Sequence, residues 1–220
     1  MADREKITGG NGYDYLGGNW NNEILIGLDG NDDLYAGGGD DILVGGSGDD
    51  DLYGQGGDDI LVVGGDNTLD IWAIDGGSGN DTLKAQQDHG DITGGWLDLD
   101  DLWSVENYVG NAGDNEVEGD GGDNMLVGKG GTDWMWAEGG NDTLVVDKHD
   151  PIYDGGEFNG GGGTDTLVAA PDAGDITVGR DDYQVQLGDV RGVENFVGND
   201  ADNEAEGDGG ANMLVGKGGT

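Results

Sequence analysis

The chain has 220 residues, 51 of them glycine, with 48 acidic residues against 8 basic ones and a formal charge of -40. That charge repels nucleic acid and anionic membrane surfaces and argues against both as partners, and the absence of cysteine excludes disulfide frameworks and thiolate metal sites. A chain this acidic and glycine-rich tends to disorder, yet its leucines recur at fixed spacing, which predicts an ordered structure that a cation neutralises.

Residues 1–8, "MADREKIT", form a leader without the apolar core of a signal peptide, and no run of 18 apolar residues follows, so no membrane insertion is expected. From Gly9 to Val62 six units of nine run without a gap. Their eighth positions are Leu16, Leu25, Leu34, Leu43, Leu52 and Leu61; their sixth positions are Asp14, Glu23, Asp32, Asp41, Asp50 and Asp59. A spacer, 63–109, holds one isolated unit (76–84) with Asp81 in sixth place. A second array, 110–145, has Asn115, Asn124, Asp133 and Asp142 at the sixth positions. A second spacer, 146–197, holds an isolated unit (160–168) with Asp165, and a third array, 198–220, stops at the fifth position of a unit. "VENYVGN" at 105 returns as "VENFVGN" at 193, so a longer repeat overlies the nonapeptides. The chain therefore reads as a fragment of a longer protein.

Glycines at the first, second and fourth positions suit a tight turn with positive φ. The last three residues of each unit suit a short strand with its middle side chain inward. Two units close one coil of 18 residues, and successive coils stack at about 4.8 Å. Asp32 then faces Asp50, and Asp41 faces Asp59, across gaps that repel unless a cation enters. Backbone carbonyls of Gly30, Gly39, Gly48 and Gly57 are expected to point into those gaps. An all-oxygen, flexible site suits calcium, with magnesium second and zinc or copper unsuited. The metal ligands expected are thus Asp14, Glu23, Asp32, Asp41, Asp50, Asp59, Asp81, Asp133, Asp142 and Asp165, with those four glycines through their carbonyls. The asparagines Asn115, Asn124, Asn203 and Asn212 bring an oxygen but no charge, so their sites should be weak or vacant.

"GGSGDDDLY" and "GGSGNDTLK" fill the template G-G-x-G-x-D-x-U-x at every specified position, and in this the chain resembles the RTX, or haemolysin-type, calcium-binding repeats. The resemblance implies an all-β fold, a right-handed parallel β-roll with spacer insertions, disordered without several calcium ions. It also implies secretion by a one-step exporter that reads a C-terminal signal, which is missing from this chain.

No His-Glu-x-x-His and no G-x-S-x-G occurs, so neither zinc-protease nor lipase chemistry is expected, and the chain reads as a non-enzyme. The expected role is a monomeric, calcium-folded scaffold outside the cell. The alternatives are the export-and-folding module of an RTX enzyme or toxin, and a glycan-binding or adhesive module that uses Trp134 and Trp136, which flank Met135. The remaining tryptophans are expected to pack the spacers against the roll. One sheet of the first array carries Ile24, Ile26, Ile42, Val44, Ile60 and Val62 outward, and the other carries Tyr15, Asp33, Tyr35, Asp51 and Tyr53. A patch of six aliphatic side chains is expected to be covered by a spacer such as Lys84 to Val109, which would leave Ile42 and Val44 more buried than Asp33 and Tyr35.

Overall fold

The computed structural model describes residues 4–64, 73–86, 96–147, 150, 158–171, 185–186, 190, 192–200, 205–206 and 211–217. The chain divides into two compact units, Met1–Gly94 with Asp98–Val109, and Gly95–Leu97 with Gly110–Thr220. Among the described residues the regular elements are parallel strands and one 3-10 turn, Leu99–Asp101.

In the first unit the leader is not a separate tail. Its strand β1 (Glu5–Thr8) opens a sheet that continues through β3 (Glu23–Asp29), β5 (Ile42–Ser47), β7 (Ile60–Val63), β9 (Thr82–Ala85) and β11 (Asn107–Val109). The opposite sheet runs β2 (Tyr15–Gly17), β4 (Asp33–Gly38), β6 (Asp51–Gly56) and β8 (Ile74–Ser78); β10 (Trp96–Asp98), next in the chain, is instead the edge strand of a sheet of the second unit. Strands that are neighbours in sequence lie on opposite sides, as a coil of two nonapeptides requires. Leu25, Leu43, Leu61, Leu83 and then Tyr108 stand in one register, and Leu16, Leu34, Leu52 and Ile74 in the other. The 76–84 unit is isolated in sequence but not in space. It stacks directly on the first array, with the step between partners rising from 18 to 22 residues.

The second unit repeats the arrangement. Its strands are β12 (Glu116–Glu118), β13 (Met125–Val127), β14 (Trp134–Trp136), β15 (Gly139–Gly140), β16 (Thr143–Val146), β17 (Phe158–Asn159), β18 (Gly162–Gly163), β19 (Thr166–Ala169), β20 (Val185–Gln186), β21 (Asn195–Val197), β22 (Ala205–Glu206) and β23 (Met213–Val215). The long sheet orders β13, β16, β19, β21 and β23, and β12, β14 and β17 face it. Leu126, Leu144, Leu167, Phe196 and Leu214 share one register; Val117, Met135 and Phe158 share the other.

The core is the two columns of eighth-position side chains: Leu25, Leu34, Leu43, Leu52, Leu61, Leu83, Leu126 and Leu144 have no exposed surface. Outside it, the expected asymmetry between the two faces is not seen. Ile42 and Val44 are half-buried, and so are Asp33 and Tyr35. The cause is the strand spacing, because side chains one rung above and below cover much of each outward residue whatever its polarity. On the polar face this produces an aromatic column, with Tyr35 and Tyr53 stacked at 4.6 Å and Tyr15 tilted against Tyr35 at 5.2 Å. Trp20 and Trp103, expected to pack a spacer down, are largely exposed. Trp72 lies outside the described residues. Trp134 is exposed and Trp136 half-buried, on either side of buried Met135.

The turns distinguish two reasons for glycine. In the regular turns from Gly27 to Val62 the second and fourth positions hold positive φ, as at Gly46 (118°) and Gly48 (121°). First-position glycines such as Gly27 are outside that region and are needed for space. Four second positions carry other residues in the same left-handed conformation: Leu28 (φ 91°), Gln55, Lys129 and Glu138. That conformation costs an L-residue about 1–2 kcal/mol, offset for glycine by roughly 0.5–1 kcal/mol of extra chain entropy. Leu28 is exposed, so little packing opposes the change. Leu28→Gly is therefore expected to stabilise the folded chain by up to about 1 kcal/mol, read as a higher thermal midpoint in calcium. Gly46→Leu, whose β-carbon would collide with the Leu28 carbonyl, is expected to lower it.

Candidate metal centre

Each sixth-position residue stands where a turn passes into a strand, just before it or, for Glu23, at its first residue, and the carboxylates reach the backbone of the neighbouring coil. One carboxylate oxygen is used the same way throughout the first unit. The backbone N–H of Asp14 donates to Asp32 Oδ1, Asp32 to Asp50, Glu23 to Asp41, Asp41 to Asp59 and Asp59 to Asp81, at 2.5–2.9 Å. In the second unit Asn115 donates to Asp133, Asn124 to Asp142 and Asp142 to Asp165, at 2.8–2.9 Å.

The other oxygen has nothing. Among the described residues ten buried side-chain polar atoms lack a hydrogen bond. Nine are carboxylate oxygens of this ladder: Glu23 Oε1 and the Oδ2 atoms of Asp32, Asp41, Asp50, Asp59, Asp81, Asp133, Asp142 and Asp165. The tenth is Arg4 Nη1. A buried charge without a partner is too costly to leave, and a recurrent one marks a missing ligand. The carboxyl pKa values carry the same strain. Burial pushes Asp41 and Asp50 up to about 6 and Asp81 and Asp142 up to about 7, while the N–H bond from the adjacent coil pulls the other way. Asp32, Asp59 and Asp165 are raised by the same burial.

First-position glycines locate what lies beside the free oxygens. A methyl group on Gly27 would collide with both Asp32 Oδ2 and the Gly45 carbonyl oxygen; one on Gly54 would meet Asp59 Oδ2 and the Gly76 carbonyl. Acceptors from adjacent coils thus converge on one space, where the carboxylate oxygen has no donor among the described residues. The fourth-position glycines pack backbone against backbone: a methyl on Gly48 would collide with the Gly30 carbonyl oxygen, and one on Gly57 with the Gly39 carbonyl oxygen. Among the described residues no three acidic or histidine side chains converge, so each gap combines column carboxylates with backbone carbonyls. Calcium takes 6–8 such oxygens in flexible geometry, which fits this donor set.

The expected ligands are not equivalent. Asp14 is half-exposed, and its Oδ2 already accepts from Gly10 N–H at 2.7 Å. Asn115 fills its own gap: its Nδ2 donates to Asp133 Oδ1 at 2.9 Å and to the Gly113 carbonyl. Asn124 Nδ2 donates to Asp120 Oδ1. Asn212 Nδ2 reaches the Glu194 carbonyl, and Asn203 lies outside the described residues. Three carboxylates outside the nonapeptide register also join the columns. Asp81 N–H donates to Glu106 Oε2 (2.7 Å), Asp165 N–H to Glu194 Oε2 (2.8 Å) and Asp133 N–H to Asp150 Oδ1 (3.1 Å). The repeated "VEN" was the signal for the two glutamates; Asp150 had none.

A parallel roll whose turns stack half-satisfied carboxylates beside backbone carbonyls has the architecture of a calcium-binding β-roll. The family model for the RTX calcium-binding nonapeptide repeat (4 copies) matches residues 2–34, 17–52, 35–69, 73–96 and 109–144, more than half of the chain, and the chain belongs to that family. No curated protein matches it.

Two outcomes follow from the gaps. Folded-state pKa values near 6–7 stand above the ordinary 3.8, so the calcium-free fold takes up protons between about pH 4 and 7, and its stability falls as pH rises through that window. In chelator, β-structure is expected to be greater at pH 4.5 than at pH 7.5 by circular dichroism, whereas the calcium midpoint should rise on acidification because protons compete for the same oxygens. Asn115→Asp replaces an internal donor by a second carboxylate. It should weaken the calcium-free fold and add a bound ion, counted by native mass spectrometry.

Proposed function

We propose that this RTX segment is a calcium-triggered scaffold of a secreted protein, without catalysis of its own, that folds when it meets extracellular calcium. The observation that supports this reading most is the set of nine buried carboxylate oxygens left without a partner, in a chain with only 8 basic residues. Such gaps exist only when coils stack, so ion binding supplies folding free energy. Extracellular calcium modules bind at about 10⁻⁴ to 10⁻³ M, far above cytosolic levels. The chain would remain unfolded where it is made and fold where it is delivered, which suits export as an extended polypeptide.

Calcium titration monitored by far-ultraviolet circular dichroism and small-angle scattering tests this. A cooperative gain of β signal with compaction near 10⁻⁴ to 10⁻³ M is expected, reversed by chelator. A compact β spectrum that persists in excess chelator at neutral pH would exclude the proposal.

A further inference from the structure

We propose that Glu106 and Glu194 complete two further calcium sites, each pinning the end of a spacer to the repeat below it. Both lie outside the stretches that match the repeat family. The inference rests on the calcium reading above and concerns residues that no nonapeptide supplies.

Glu106 precedes β11, where Asn107 stands opposite Thr82 and Tyr108 opposite Leu83, so it holds the rung position above Asp81. Glu194 precedes β21, where Asn195 stands opposite Thr166 and Phe196 opposite Leu167, so it holds the same position above Asp165. The separations are 25 and 29 residues instead of 18. Each glutamate accepts the aspartate N–H as a ladder carboxylate does, and Asp81 Oδ2 and Asp165 Oδ2 remain buried and unpaired in the gap. Each gap has its carbonyl as well. A methyl on Gly76 would collide with Asp81 Oδ2 and the Ser104 carbonyl, and one on Gly160 with Asp165 Oδ2 and the Gly192 carbonyl. Ser104 (φ 53°) and Gly192 (φ 63°) adopt the left-handed conformation of a repeat's fourth residue. Two spacers of different length thus end in the same turn, the same carboxylate and the same carbonyl beside the same orphaned oxygen. The chemistry is that of the ladder gaps: a divalent, oxygen-preferring cation, here calcium. An aromatic residue, Tyr108 or Phe196, takes the core position next to each site.

The test counts bound calcium by native mass spectrometry on the whole chain, for the wild type, Glu106→Gln, Glu194→Gln and the double variant. Glutamine can still accept the aspartate N–H, so it removes charge and leaves the backbone bond. Counts are compared at calcium levels where circular dichroism shows wild-type β content. One ion fewer in each single variant and two fewer in the double are expected, with the count kept by Glu106→Asp. Unchanged counts in folded glutamine variants would overturn the inference alone, because the glutamates would then only cap N–H groups. A wild-type chain that takes up no calcium would overturn the proposed function and this inference with it.

Discussion

Everything in this fold depends on one arrangement: carboxylates stacked a strand spacing apart, nine of which have one oxygen held by nothing while the other is held by a backbone N–H. The N–H bond fixes where the charge stands, and the orphaned oxygen makes the stack unstable until something enters. Leucine columns, with small residues such as Ala36 beside them, supply the apolar contact between coils, but each coil buries few large apolar side chains. The core cannot by itself outweigh the ordering of an 18-residue turn at about 1–2 kcal/mol per residue. On the proposed reading, ordering is therefore conditional on what fills the gaps.

The chain fills equivalent gaps in more than one way. A proton does it where burial raises a carboxyl into the neutral range, as at Asp81 and Asp142. An amide does it at Asn115, whose Nδ2 stands where a cation would and needs no ion. Fixed positive charge contributes at the start of one column, where Arg4 lowers the pKa of Asp41 and Asp59 against their burial. The calcium demand of the columns is thus graded along the chain. Gaps with two carboxylates depend on the ion most, and gaps with an asparagine least.

Most of the fold was legible in the sequence because the period is rigid. Leucine at every eighth position fixed the register of Leu25 on Leu43 on Leu61, and the aspartate columns followed from the same count. What escaped was whatever the period did not carry. Glu106 and Glu194 arrive after insertions and Asp150 one residue short of a full eighteen, so counting nines could not place them, although they occupy rung positions in space. The second reason for glycine escaped as well: Gly27 and Gly45 are glycines because a side chain would occupy the gap, and that is a fact of three-dimensional proximity. The cover expected over Ile42 and Val44 overestimated the exposure of a sheet face, since adjacent rungs already shield it.

The alternation of outward residues sets a rule for how such a chain can grow. Nine residues are the unit of the sequence, but eighteen are the unit of the structure. Duplicating one nonapeptide after Tyr35 would leave every carboxylate above another carboxylate and every leucine above another leucine. It would also transfer Ile42, Val44, Ile60 and Val62 to the side that carries Tyr35, and part Tyr53 from its stacked neighbour. Duplicating two would change nothing but length. Gene-level slippage in this array is therefore neutral to the interior in single steps and neutral to the surface only in pairs.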